Sequence, residues 1–297
     1  MRIVLAGASG FLGSALRASL AGSGHETRLL TRGVEWDPDG GRVDAAALDG
    51  ADAVVHLGGE SLSAGRWTDA RKERIRSSRV RSTALLAGAA ARMAKPPEVF
   101  AVASAVGFYG DRKDEELVET SPPGVGFVPE LCRAWEEAAR PARDRGIRTL
   151  HFRTAIVLGP GGGILSRMIG PFRWGLGGRI GPGTQWWSWI SIDDAVGAMR
   201  HALERRDLAG PVNLSAPGAV TNREFTRTLG RVLRRWTIFP LPAFAARLAF
   251  GEMADGLMLA SARVKSARLL ESGYAFRFPE LEGALRHVLT PAYNLQA

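Results

Sequence analysis

Arg2-Ile3-Val4-Leu5-Ala6-Gly7-Ala8-Ser9-Gly10-Phe11-Leu12-Gly13 opens the chain and decides its fold. Residues 2–6 form a short apolar run that suits a buried parallel strand. After Gly13 the apolar positions Leu16 and Leu20 fall on one helical face. Strand, glycine turn and helix in that order form a dinucleotide-binding start. Gly7 permits the tight turn, Gly10 lets backbone N–H groups approach a pyrophosphate, and Gly13 lets the helix pack closely on the strand. The helix N-terminus adds unpaired N–H groups and a partial positive charge facing the phosphates. A second strand, Glu26 to Leu30, follows at the distance a βαβ unit requires.

Working outward, strands and helices alternate through the first half, which predicts a doubly wound parallel sheet of the α/β class. Ala53 to Leu57 reads as the next strand, ending in Gly58-Gly59-Glu60. A long helix is expected over Asp69–Met93, with Ile75, Val80, Leu85 and Leu86 turned inward. Its basic stretch, Arg71 to Arg81, reads as largely solvated. Val99 to Ser104 is a strand, Phe127 to Arg143 a helix, and Thr149 to Leu158 a further strand. From Gly161 glycine, proline and tryptophan become dense. Ser188 to Ile192 reads as a short strand, Asp193-Asp194 as the cap of the next helix, and Val212 to Leu214 as a strand. Thr221 with Glu224 reads as a capping box. The expected division is a Rossmann domain, 1–165 with sheet and helix added by 190–215, and a small C-terminal α/β substrate lobe, 166–189 and 216–297.

Composition narrows the function classes. The 297 residues, 45% hydrophobic and 23% charged, are those of a soluble globular chain with a sizeable core. No apolar run reaches the length of a membrane span, and the N-terminus reads as a core strand rather than a signal peptide. Cys132 is the single cysteine, so no internal disulfide forms, which fits the cytoplasm. The net charge of +9 is mostly arginine, since only Lys72, Lys95, Lys113 and Lys265 are lysines. No nucleic-acid motif accompanies it, so no nucleic-acid partner is expected. The Asp, Glu and His residues show no metal-ligand spacing, and no metal is expected.

The residue that closes the second strand chooses between NAD and NADP. A carboxylate there would accept from the ribose 2′-OH, whereas an arginine accommodates a 2′-phosphate. Here Thr31-Arg32 follows Leu30, which predicts NADP(H).

Several stretches together carry a resemblance: AGASGFLG (6–13), VVHLGGE (54–60), SRVRST (78–83), SAVGFYG (104–110), LCRAWEEAA (131–139), FRTAIVLGPGGGIL (152–165), GLGGRIGPGTQWWSWISIDD (175–194), NLSAPGAVTNREFT (213–226) and the tail over 251–281. The chain resembles the short-chain dehydrogenase/reductase superfamily in its extended, atypical branch. More narrowly, it resembles the bacterial "epimerase family protein" group, also labelled cell-division-inhibitor-like. The resemblance implies cofactor contacts at Gly7, Ser9, Gly10, Phe11, Leu12, Gly13, Thr31, Arg32, Leu57, Gly58, Gly59, Glu60, Arg79 and Ser104. His56 reads as a packed strand residue, and homodimers through the sheet-flanking helices are the pattern of the superfamily.

Catalytic members of that superfamily use a Ser/Thr with a Tyr-x-x-x-Lys pair, the lysine one helical turn after the tyrosine and lowering its pKa. Aligned on Glu136, this chain has Val128 in the tyrosine position and Cys132 in the lysine position, so the pair is missing. Tyr109 and Lys113 have the spacing but fall in a loop. Tyr109 resembles the tyrosine beside the substrate pocket of the extended branch. With Ser104 it is the remaining candidate to polarise a substrate carbonyl, although alignment on Tyr109 puts the family serine at Ala105. Cys132 reads as a small core residue. Trp186 is the candidate for a substrate cleft between the lobes. The expected function is an NADP(H)-dependent oxidoreductase or epimerase acting on a small molecule. The alternatives are a non-catalytic NADP(H)-binding regulator and a nucleotide-sugar epimerase.

Overall fold

A computed structural model describes residues 1–290 of the chain. Six parallel strands form the central sheet, in the spatial order Gly210–Leu214, Arg148–Thr154, Val99–Ala105, Ala53–His56, Arg2–Ala6, Glu26–Leu30. Residues Ile3 to Ala6 pair on one side with Thr27 to Leu30 and on the other with Ala53 to His56. The order of strands therefore reverses around the first strand, and the crevice beyond its carboxyl end is the place where such sheets bind ligands.

Helices cover both faces. Helix α1 (Phe11–Ala21) and the helix Ile192–Glu204 bury Leu16, Leu20, Ala195, Ala198 and Met199 against Ile3, Leu5, Val55 and Phe152. On the other face, helix α2 (Asp69–Arg92) and helix α3 (Phe127–Glu137) bring Leu86, Ala87, Ala90 and Trp135 onto Val4, Val54, Phe100 and Val102. Alternate residues of each strand supply the two cores, as the period of a β-strand requires. A further core gathers Phe172, Trp187, Trp189, Phe225, Leu229, Ala254 and Leu285 from the second half of the chain.

Several expected boundaries move, each for a local reason. The helix expected over Phe127–Arg143 breaks into α3 and a separate turn, Arg140–Asp144. Pro141 lacks the N–H and its ring would meet the Glu137 carbonyl. The strand expected over Thr149–Leu158 divides at Ala155, whose N–H bonds to Leu214 O at 3.0 Å. Ile156–Leu158 then leaves the central sheet and pairs with Trp189–Ser191. The cap of the helix at 192 is Ser191, which accepts from Asp194 N at 3.0 Å, not the Asp193-Asp194 pair. Asp194 instead fastens the tail, accepting from Arg277 N at 2.7 Å and Phe278 N at 2.9 Å. In α2, Ile75 and Leu86 are fully buried while Val80 and Leu85 are only half-buried.

Candidate dinucleotide-binding site

The glycine turn has the geometry its sequence implies. Gly7 sits at φ +87°, and a Cβ there would lie 2.6 Å from Gly58 N. A Cβ on Gly13 would lie 2.0 Å from Gly7 O. Side chains at either position would separate the turn from the neighbouring strand or from the helix. No side chain caps α1 and no carboxylate lies in its first turn, so its N-terminal N–H groups and dipole face the crevice without internal competition. The Phe11 ring packs onto Gly159, Gly162 and Gly163, where added Cβ atoms would lie 2.8, 2.3 and 3.3 Å from it. This contact leaves no room for a side chain at Gly159 or Gly162.

The crevice encloses about 590 Å³ and brings together Gly7, Ser9, Thr31, Arg32, Gly58, Gly59 and Glu60 of the expected set. Its wall also includes Trp36, Asp39, Ser77, Ser78 and Ser82, which sequence reasoning missed. Trp36 sits in a Gly-rich stretch that reads as an irregular loop. In the fold it is buried and meets the His56 ring edge-on at 5.5 Å. Glu60 is held by its backbone, whose N–H donates to Ser78 Oγ at 3.0 Å, and by Arg71 at 3.4 Å. Arg32 is ion-paired with Asp39, and both side chains are exposed. Leu57 packs between the two cores, and its N–H donates to Ala6 O at 2.9 Å.

His56 is confirmed as a packed strand residue. It is 1% exposed and its Nδ1 lies 3.1 Å from Thr83 Oγ1. Burial, and then the Arg79 charge, lower its pKa to about 3, so the ring is neutral at pH 7. Arg79 corrects the reading of α2 as a solvated basic helix: it is 7% exposed. Its guanidinium lies 4.9 Å from the Trp135 ring and Nη1 donates to Ile75 O at 3.1 Å.

The two catalytic candidates are occupied elsewhere. Ser104 faces α3 through the alternation of its strand, and its Oγ donates to Glu136 Oε1 at 2.7 Å. Glu136 in turn receives Arg153 Nε at 2.8 Å and Nη2 at 2.9 Å. Tyr109 is 0% exposed. Its hydroxyl donates to Asn213 Oδ1 at 2.7 Å and accepts from Arg153 Nη1 at 3.1 Å, and burial holds its pKa above the usual phenol value. Glu119 completes this buried network by accepting from Asn213 N at 3.1 Å. Ser104 and Tyr109 thus tie the sheet together, and neither is among the residues lining the crevice. Lys113 is exposed at φ +52° in a loop, so its spacing from Tyr109 places no ammonium beneath the phenol.

Val128 and Cys132, at the positions expected for the Tyr/Lys pair, are both buried on α3. A Cβ on Gly107 would lie 2.5 Å from Val128 Cγ1, and one on Gly256 would lie 3.5 Å from Val128 Cγ2. The C-terminal half of the chain therefore closes over this turn of α3. Burial, followed by the Glu136 charge, pushes the Cys132 thiol up to about 12, which suits a core residue. Trp186 is half-buried, with Nε1 donating to Asp114 Oδ1 at 2.8 Å and Arg263 4.7 Å from its ring. Among the described residues no group of His, Cys, Asp and Glu is arranged for a metal, and no helix is long and apolar enough to cross a membrane.

A glycine turn at the switch point of a six-stranded parallel sheet with helices on both faces defines a Rossmann-type nucleotide-binding protein. The chain belongs to the NAD dependent epimerase/dehydratase family, whose sequence model matches residues 3–215. Residues 241–288 match a domain of unknown function, DUF1731. An epimerase family protein of Mycobacterium tuberculosis is 41% identical over 295 residues, 97% of each chain. The human epimerase family protein SDR39U1 is 37% identical over 297 residues, covering 97% of this chain and 100% of that protein. The crystal structure of human SDR39U1 (isoform 2) with NADPH superposes with a TM-score of 0.89 at 36% identity, over 97% of this chain and 99% of that one. A structure described as a nucleoside-diphosphate sugar epimerase, from Corynebacterium glutamicum, gives 0.80 at 36% identity, over 97% of this chain and 58% of the other.

Proposed function

We propose that the chain is an NADP(H)-dependent oxidoreductase of the epimerase family, acting on a small molecule, whose own side chains hold the cofactor and leave the substrate proton to water or to the substrate. The observation that carries it is Arg32, the first charged residue beyond the second strand, lining the same crevice as Gly7 and Ser9. A guanidinium at that position suits a 2′-phosphate, and the human relative was crystallised with NADPH. The cofactor fits the cradle, since Gly7 and Gly13 leave room only for backbone.

When bound, the cofactor supplies or accepts a hydride at C4 of its nicotinamide. The α1 N-terminus holds the phosphates, Thr31 and Arg32 hold the adenosine end, and Gly58, Gly59 and Glu60 line the path between them. Trp186 is assigned to the substrate side. Val128 and Cys132 provide no acid or base on α3, and Ser104 and Tyr109 are engaged in the network around Arg153. The same arrangement favours a second reading, a regulator that binds NADP(H) without turnover. A sugar-nucleotide epimerase is disfavoured, because that chemistry calls for the missing tyrosine base.

Incubation with NADPH deuterated at C4, on either face, and a panel of carbonyl compounds separates the readings. Deuterium in a product supports the oxidoreductase. Tight NADPH binding with no label in any product supports the regulator.

A further inference from the structure

A second cavity, of about 420 Å³, lies in the C-terminal half of the chain, and its wall shares no residue with the dinucleotide crevice. Arg179, Arg223, Thr226, Arg227, Ile238 and Pro240 line it. The helix Asn222–Leu233 carries two of these arginines against its own local preferences. Arg223 lies in its first turn, where the helix dipole disfavours a cation. Arg227 follows four residues on, a spacing at which like charges repel. Arg231, one turn further, is paired with Glu282 at 2.5 Å, whereas among the described residues Arg179, Arg223 and Arg227 form no ion pair. Glu224 lines an adjoining groove that Arg223 and Arg227 also reach, but among the described residues no carboxylate lines this cavity. Breaking local rules in this way is a mark of functional sites.

The cations are gathered by the fold. Arg179 Nη1 and Arg223 Nη2 donate to the same acceptor, Pro182 O, at 2.9 and 3.2 Å. Gly183, at φ +71°, lets their stems close on it, since a Cβ there would lie 3.2 Å from Arg223 Cβ and 3.3 Å from Arg179 Cβ. The loop that bears Arg179 is fixed through Ile180 N, which donates to Asn222 Oδ1 at 2.7 Å, and through Arg179 O, which accepts from Leu241 N at 2.8 Å. Thr226 points to a ligand independently. It is 2% exposed, it lines the cavity, and its Oγ1 has no hydrogen-bond partner among the described residues. A buried hydroxyl left in that state is costly. Guanidiniums offer donors alone, in a fork that matches phosphate oxygens, and the threonine hydroxyl can donate as well. We propose that this cavity is a second binding site, for a small phosphate ester: Arg179, Arg223, Arg227 and the Thr226 hydroxyl hold the phosphate, and the organic part lies against Ile238 and Pro240. The volume is that of a small-molecule site. None of the residues assigned to the dinucleotide takes part, so the proposal stands apart from that reading.

The test is isothermal titration with phenyl phosphate and with inorganic phosphate, at fixed ionic strength, on wild type, Arg223→Gln, Arg227→Gln, Thr226→Val and the control Arg32→Gln. Wild type is expected to bind phenyl phosphate saturably and more tightly than inorganic phosphate, because only the ester has an organic part to lay on the apolar side. Arg223→Gln and Arg227→Gln are each expected to weaken phenyl phosphate roughly tenfold or more, the range of one charge-assisted hydrogen bond. Thr226→Val is expected to weaken it severalfold. Arg32→Gln removes the same charge from the dinucleotide crevice and is expected to leave phenyl phosphate within twofold. Without ligand the three cavity variants are expected to melt no lower than wild type, since each removes a like-charge repulsion or an unpartnered buried hydroxyl. No saturable binding by wild type, equal affinity for the two probes, or binding that the cavity variants keep would overturn the proposal. So would an equal loss in Arg32→Gln, or a lower melting temperature in all three cavity variants, which would show that these residues hold the fold instead.

Discussion

Tyr109 donates its hydroxyl to Asn213 Oδ1 at 2.7 Å across 104 residues of sequence. The contact joins the turn after the Val99–Ala105 strand to the edge strand Gly210–Leu214. Arg153, between them, donates to Tyr109 at 3.1 Å and carries the connection on to Glu136 and Ser104. The two hydroxyls that looked available for catalysis are therefore members of one buried network.

Tyr109→Phe accordingly acts on stability. It removes a donor from Asn213 and an acceptor from Arg153, both buried, which costs about 1–3 kcal/mol. Urea unfolding is expected to show that loss, while NADPH affinity stays within twofold. A normal midpoint with weakened NADPH binding would place Tyr109 at the cofactor site.

If Arg32 holds the 2′-phosphate as proposed, its ion pair with Asp39 competes with that contact. Both side chains are exposed, so the pair itself is weak. Asp39→Asn frees Arg32 and is expected to tighten NADPH severalfold without changing NADH. Arg32→Glu is expected to reverse the preference, by about tenfold or more for the loss of one charge-assisted contact. Isothermal titration with both nucleotides checks each outcome.

Acid destabilises this fold through its buried histidines. His56 has a folded pKa of about 3, below its unfolded value, because burial and then Arg79 disfavour the imidazolium. His151 is shifted in the same direction, with burial the main cause. The unfolded chain therefore binds more protons below about pH 6.5, and stability is full above that value and falls as pH drops toward the folded pKa. Each fully responding histidine contributes a slope of about 1.4 kcal/mol per pH unit. Urea midpoints at pH 7.5 and 5.5 are expected to differ, and His56→Gln to flatten the difference. An identical slope in that variant would show that His56 titrates normally in the fold.

Cys132, 2% exposed and with its thiol pushed up to about 12, is inert in the folded protein. Iodoacetamide at pH 8 is expected to leave the native chain unlabelled and to add one label in denaturant. Rapid native labelling would mean that α3 opens to solvent at this turn.

The residues that carry local signals were legible in the sequence. The Gly7–Gly13 turn, the alternation of strand and helix, the Thr221 cap and the buried character of Cys132 all follow from spacing or short-range sterics. Thr221 caps its helix by accepting from Glu224 N at 3.2 Å. What was not legible depends on contacts between distant segments. Arg79 lies in a run of six basic residues within eleven, and only the packing of α2 against Trp135 distinguishes it from its solvated neighbours. Ser104 and Tyr109 have the residue types of a catalytic site. Their role was decided by Glu136, Arg153 and Asn213, whose positions no local pattern reports. The Phe11 ring likewise explains Gly159 and Gly162 only once the two loops are folded together.

The most direct test of the account is parallel titration of the purified chain with NADPH, NADP⁺, NADH and NAD⁺, read by thermal shift. A ligand at about 100 times its dissociation constant stabilises the fold by roughly 2.7 kcal/mol, a shift of a few degrees. The account predicts that shift with the two phosphorylated nucleotides and a much smaller one with the other pair. Equal shifts with all four, or a larger shift with NADH and NAD⁺, would contradict the assignment of Arg32 and with it the proposed NADP(H) function.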